Sequence, residues 1–189
     1  MNSKKMVPKN NGFHEELLEK HIEDIGLGNK DALRDLYLIT KTSVYGFALS
    51  ILKNAHEAED VLQEVYIKIY ENANLYQASG KPLAWILVIT KNLALMKLRK
   101  NKDHADIEEL KDLLVDHKGV NDTENQLLLS TVFNYISDEE RNILVLHSIS
   151  GLKHREIAKM LGIPLTTVLS KYNRTIKKIK KRMGEEEYA

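Results

Sequence analysis

No cysteine occurs among the 189 residues, and proline (3) and tryptophan (1) are scarce. Without thiols there is no disulfide scaffold and no thiolate metal site, a composition that suits a reducing cytoplasm. Few prolines and a 6% aromatic content favour helices over sheet. No apolar run approaches the roughly 20 residues of a membrane span. The opening MNSKKMVPKNNGFHEE carries charge without an apolar segment, so neither a signal peptide nor membrane insertion is expected. Catalytic patterns are missing as well. There is no P-loop, no Gly-x-Ser-x-Gly and no paired-carboxylate pattern, and the pairs His14/His21 and His147/His154 have the wrong register for an HExxH-like metal site. Neither an enzyme nor a resident metal or cofactor is expected.

What is present is helical periodicity and segregated charge. A 43% hydrophobic content supplies a core, and a net charge of +1 conceals basic runs at Lys91–Lys102 and Lys171–Arg182 with acidic residues between them. For a nucleic-acid partner the local field matters more than the sum. The polar residues 1–14 are expected to be a flexible tail. Helices are expected over Glu15–Ile25, ended by Gly26-Leu27-Gly28 as a C-cap, and over Asp31–Leu52. The segment His56–Asn74 is the sharpest amphipathic stretch. Ala58, Val61, Leu62, Val65 and Ile69 form its apolar stripe, and Asp60, Gln63, Glu64 and Lys68 fall on the other side. Taken alone, that polar face is what any solvated helix presents. Asn74–Pro82 reads as a loop and Leu83–Lys100 as a helix, with Lys91, Lys97, Arg99 and Lys100 toward its end. Trp85 suits either a core anchor or a base-stacking platform.

Residues 103–122 form an acidic linker between a first domain, 15–102, and a second, 123–184, followed by a polar tail, 185–189. The second domain opens on an expected packed helix carrying Leu127, Leu128, Leu129, Val132, Phe133 and Ile136. Ser137 with Glu140 then fits a capping box for the next helix, which Gly151 stops. A short helix with Ile157, Ala158 and Leu161 ends at Gly162, and past Pro164 a longer helix turns Val168, Tyr172, Ile176 and Ile179 inward. The expected fold is therefore all-α: two small helical domains joined by an acidic linker, the C-terminal one a helix-turn-helix. Thr166, Thr167, Ser170, Lys171, Arg174 and Lys178 lie on the outward side of its last helix. They are hydrogen-bond donors and cations that suit base edges and phosphates. Cations near a helix C-terminus are also favoured by the helix dipole with no ligand at all.

Three blocks in order carry a resemblance. Ala58-Glu59-Asp60-Val61-Leu62-Gln63-Glu64-Val65-Tyr66-Ile67-Lys68-Ile69-Tyr70 is followed by Ala84-Trp85-Ile86 with Asn92-Leu93-Ala94. Glu156-Ile157-Ala158, Gly162-Ile163-Pro164, Thr167-Val168 and Ser170 complete the set. Together, over roughly residues 15–182, the chain resembles a bacterial RNA polymerase sigma factor of the extracytoplasmic-function (ECF) group. The resemblance implies a cytoplasmic factor that binds core RNA polymerase and promoter DNA and directs promoter-specific initiation, including promoter melting. It implies that Asp60, Gln63, Glu64 and Lys68 bind the polymerase, so the solvated face becomes a partner surface. It assigns the minus-ten element to the Asn74–Lys81 loop with Trp85, Lys91, Asn92, Lys97, Arg99 and Lys100. The minus-thirty-five element falls to Thr166, Thr167, Ser170, Lys171, Arg174 and Lys178. An anti-sigma factor is a further partner known in the group.

Two positions depart from the pattern. Met96 stands where many relatives carry Asp, which weakens transfer of the detailed minus-ten readout, and Leu169 where Lys or Arg is usual, which implies a shifted promoter sequence with DNA binding retained. The competing reading is a stand-alone helix-turn-helix regulator that binds duplex DNA without core polymerase, with a steep salt dependence. It leaves the His56–Asn74 block unexplained. A protein-interaction module, the third reading, would show no salt-sensitive DNA affinity.

Overall fold

A computed structural model describes residues 11–105 and 135–186, and among these every regular element is helical. The helices are α1 (Asn11–Gly26), α2 (Lys30–Leu52), α3 (Ala55–Asn72), α4 (Pro82–Ala105), α5 (Asp138–Ser148), α6 (His154–Leu161) and α7 (Leu165–Glu186), with a 3₁₀ turn at Ala73–Leu75. Their ends follow from local chemistry. The Asn29 side chain accepts from the Asp31 and Ala32 N–H groups and starts α2, and Asn54 accepts from Glu57 N–H and starts α3. Gly162, with φ of 70°, takes the left-handed cap after α6 and donates to the Ala158 carbonyl.

Helix α2 is the axis of the molecule. It packs against α1, α3 and α4 on three sides and against α5 on the fourth. Leu36, Val44, Phe47 and Ala48 are fully buried there, and one continuous apolar cluster runs from Leu18 and Ile22 through α2 to Ile143, Leu146 and Ile157. The two helical units are thus docked along α2. The linker that joins them lies outside the described residues, as does the expected helix from Leu127, except for its last position. Ile136 is buried in a bend before α5, not in a helix.

Other boundaries also differ. Residues 11–14, expected to be tail, belong to α1, and 103–105, expected to be linker, extend α4. Neither segment carries a proline that would stop a helix there. The histidines rejected as a metal pair do meet: His147 and His154 stack with centroids 4.1 Å apart, and both rings pack against Tyr172. The break at Gly151, where φ is 71°, folds α6 back against α5 and brings them together. His147 Nδ1–H donates to the Leu152 carbonyl at 2.9 Å. Burial, reinforced by the His147 ring, pushes the His154 pKa down. No group of three metal-ligating side chains occurs among the described residues.

The capping box of α5 does more than start a helix. Ser137 Oγ accepts from Glu140 N–H and Glu140 Oε2 accepts from Ser137 N–H, while Lys178 of α7 donates to both Glu140 oxygens at 2.8 and 3.0 Å. Burial opposes ionisation of Glu140, but the Lys178 ammonium and the Ser137 N–H outweigh it and hold the carboxyl below its usual range. A depressed carboxylate stabilises the fold above its unfolded pKa and loses that contribution as pH falls through the folded value. Glu140→Gln should lower the stability of the C-terminal unit at neutral pH by about 1–3 kcal/mol in urea titrations and should flatten its acid dependence.

Candidate nucleic-acid and partner interfaces

The first candidate surface is the outward side of α3. Val61, Val65 and Ile69 are buried against α2 and α4, which leaves Asp60, Gln63 and Glu64 exposed on the far side. Ile67 and Tyr70, with 55% and 45% of their surface exposed, extend this face by an apolar patch that polarity alone did not single out. Asp60 is anchored: Lys97 of α4 donates to its Oδ2 at 2.5 Å, and this bond above all lowers its pKa. Lys68 forms its ion pair one turn further along the helix, outside the Asp60–Glu64 group. It pairs with Glu71 at 2.8 Å, which raises the ammonium pKa, and it borders the depression between α3 and α4.

That depression, about 340 Å³, is lined by Lys68, Asn72, Leu75, Trp85, Ile89, Asn92 and Leu93. Trp85 is half-buried and meets Tyr76 at 4.9 Å with the rings tilted by 58°. The structure brings Trp85 and Asn92 to one cavity and adds Asn72 from the end of α3 and Leu75 from the turn that follows. The neighbouring loop is tethered. Glu19 of α1 accepts from Tyr76 OH at 3.0 Å and from Gly80 N–H at 2.7 Å. Burial and the Glu19 carboxylate together push the Tyr76 pKa up to about 12, so its hydroxyl stays a donor. Sequence reasoning missed Glu19 because its partners lie across a tertiary contact.

The cations of α4 divide into two sets. Lys91 is half-buried and donates to the Met160 carbonyl at the end of α6 at 2.7 Å, and Lys97 is committed to Asp60. Arg99 and Lys100 are exposed and form no ion pair among the described residues.

On α7, Val168 and Thr175 are fully buried, which orients the helix. Thr166, Ser170 and Arg174 face solvent and Thr167 is half-exposed. Ser170 Oγ donates to the Thr167 carbonyl at 3.0 Å. Lys171 and Lys178 instead reach back to α5, pairing with Glu139 and Glu140, each at 2.8 Å. They fasten the helix to its support. The outer face also carries exposed Leu169, Asn173 and Lys177, of which sequence reasoning left Asn173 out.

The two units meet over a mostly apolar contact with polar pins. A Cβ on Gly46 would lie 3.7 Å from Val145 Cγ1 and from Ile149 Cδ1, so α5 comes down directly onto the α2 backbone. Ser50 Oγ donates to Asn142 Oδ1 at 2.8 Å, Lys53 pairs with Asp138 at 2.7 Å and Lys81 with Glu156 at 2.8 Å. The pairing with Lys81 outweighs burial and keeps Glu156 below its usual pKa.

With this geometry in place, comparison with known proteins gives consistent matches. Residues 36–104 match the family model for Sigma-70 region 2, and residues 126–179 match that for Sigma-70, region 4. The chain is 29% identical over 185 residues to the ECF RNA polymerase sigma factor SigW of Bacillus subtilis (strain 168), covering 90% of this chain and 99% of that protein. It is 26% identical over 160 residues to SigK of Mycobacterium ulcerans (strain Agy99), covering 79% and 84%. Among solved structures, CnrH in complex with the cytosolic domain of CnrY superposes with a TM-score of 0.64 at 16% identity, covering 89% of this chain and 98% of that chain. The sigma factor RpoE in complex with the anti-sigma factor NepR from Bartonella quintana gives 0.63 at 18% identity, covering 82% and 98%.

At position 46 the docking of α5 on α2 leaves room for a Cβ in ordinary contact but not for a longer side chain. Gly46→Leu should cost about 1–3 kcal/mol of overpacking at that contact and separate the two units, while each keeps its helices. Small-angle scattering would show a larger radius of gyration with an unchanged far-ultraviolet circular dichroism spectrum.

Proposed function

The chain belongs to the extracytoplasmic-function group of RNA polymerase sigma factors, and on that premise we propose how its surfaces divide the work of promoter-specific initiation. The outward face of α3 docks on core polymerase through Asp60, Gln63 and Glu64. A rigid helix with acidic groups one turn apart can set the register of a complementary basic partner. The α3–α4 depression, with Trp85 and Asn92, receives an unstacked base of the minus-ten element during melting, and Arg99 and Lys100 approach its phosphates. The outer face of α7 enters the major groove of the minus-thirty-five element. The observation that carries this reading is that the acidic α3 face, the end of α4 and the outer face of α7 all remain exposed while the apolar sides of the same helices are buried.

In this arrangement Lys91 is held by the Met160 carbonyl and Lys81 by Glu156, both in the C-terminal unit. Contact between Lys91 and a promoter phosphate therefore requires the two units to part, and core polymerase is the agent we assign to that step. The division into two helical units joined by a linker, the first widened to residues 11–105 as its helices run, the cytoplasmic location and the absence of enzymatic activity are part of the same proposal. No described helix is long and apolar enough to cross a membrane. An anti-sigma factor is a proposed partner, supported by the RpoE–NepR complex among the structural neighbours.

Run-off transcription with purified core enzyme tests the whole reading: initiation at defined sites should require both proteins. Asp60→Ala combined with Glu64→Ala should weaken core binding by roughly tenfold or more in a fluorescence titration and leave DNA binding by the C-terminal unit unchanged. Trp85→Ala should remove on the order of 1–3 kcal/mol from open-complex formation. Its signature is lost permanganate reactivity in the minus-ten region with upstream duplex protection retained.

A further inference from the structure

The outer face of α7 contains two residues whose chemistry the phosphate-binding role does not use. Asn173 and Thr166 lie on the side of the helix opposite Thr175, which is fully buried, so Asn173 sits near the middle of the solvent-facing stripe. It makes no hydrogen bond among the described residues. Leu169, one turn before it, leaves 39% of its surface exposed between hydroxyls and cations. Asparagine is a weak helix former, because its amide competes for the backbone, and the exposed part of Leu169 is an apolar surface within a polar stripe. The surroundings are cationic: Arg174, Lys177 and Lys180 are exposed around them, while Lys171 and Lys178 are tied to Glu139 and Glu140 and set the helix's rotation.

A phosphate would use only the donor half of a neutral amide and leave its carbonyl oxygen without a partner. The amide is well suited to the adenine edge in the major groove, where the amide oxygen accepts from N6 and the amide nitrogen donates to N7. A leucine side chain has one favourable partner on a base edge, the thymine methyl group. We infer that Asn173 reads an adenine and Leu169 a thymine methyl in the upstream promoter element. The two side chains are about 6 Å apart on the helix surface, so the bases they read fall within about two base-pair steps of each other. This inference rests on the reading of α7 as the groove-entering helix of a sigma factor, and it adds the base chemistry that the helix selects.

The test is selection by reconstituted holoenzyme, full chain plus core polymerase, from promoters randomised across the upstream element, with enriched sequences counted. The wild-type chain should enrich an adenine and a thymine within two positions of each other. Asn173→Ala should lose the adenine preference alone, with transcription from the best wild-type promoter falling on the order of tenfold. On that promoter, replacing the thymine by uracil, which removes only the methyl group, should weaken the wild type several-fold and leave Leu169→Ala unaffected. Both side chains are exposed, so folding is not at stake, and retained core binding confirms it. If Asn173→Ala enriches the same sequences as wild type, or uracil is tolerated by wild type, the inference fails and the sigma reading stands. If wild-type holoenzyme enriches no upstream element at all, both fail together.

Discussion

The close approach of α5 to α2 at Gly46 and Ser50 is the constraint on which the rest of the arrangement depends. A glycine at the crossing and a serine one turn on, bonded to Asn142, let two backbones come within side-chain contact of each other. The second half of α2, through Phe47, Ala48 and Ser50, is consequently buried, and exposed charges of the helix, Asp31, Arg34, Asp35 and Lys41, fall in its first half. The groups that can meet a partner are displaced to the far side of α3, the end of α4 and the outside of α7.

Electrostatics sorts those groups a second time. The chain is almost neutral, yet its acids are distributed so that the inner cations are satisfied locally. Lys97 goes to Asp60, Lys171 to Glu139, Lys178 to Glu140 and Lys81 to Glu156. Each pair fixes the relative position of two segments. The partly exposed pairs of Lys97, Lys171 and Lys81 contribute little to stability and act through geometry, whereas the Lys178 pair also satisfies the buried Glu140 carboxylate. Arg99, Lys100, Arg174 and Lys177, outside these pairs, form a discontinuous positive surface that a phosphate backbone can neutralise without breaking the fold.

The depression between α3 and α4 shows how residues from separate elements line one cavity. Trp85 and Asn92 come from α4, but the cavity's shape depends on the turn that follows α3, and the adjoining loop is held by Glu19 of α1 through Tyr76 and Gly80. The bonds from Tyr76 and Gly80 to one carboxylate hold that loop in place beforehand, so less conformational entropy remains to be lost on binding.

By itself the sequence determined everything that depends on neighbours along the chain. Period placed α2 and α3 to within a residue or two, and the Ser137 capping box, Gly162 and Pro164 placed the start of α5, the end of α6 and the start of α7, because each acts on its own helix end. The motif blocks led to the family. Only the tertiary structure decided which polar residues are free. Lys171 and Arg174 look alike in sequence, but one faces Glu139 and the other faces solvent. Lys91 was indistinguishable from Arg99 until α6 came to lie beneath it, and the stacking of His147 on His154 was hidden by the turn at Gly151. Helical periodicity reports which side of a helix is apolar. What stands opposite its polar side is set by contacts between segments far apart in the chain, which no local pattern encodes.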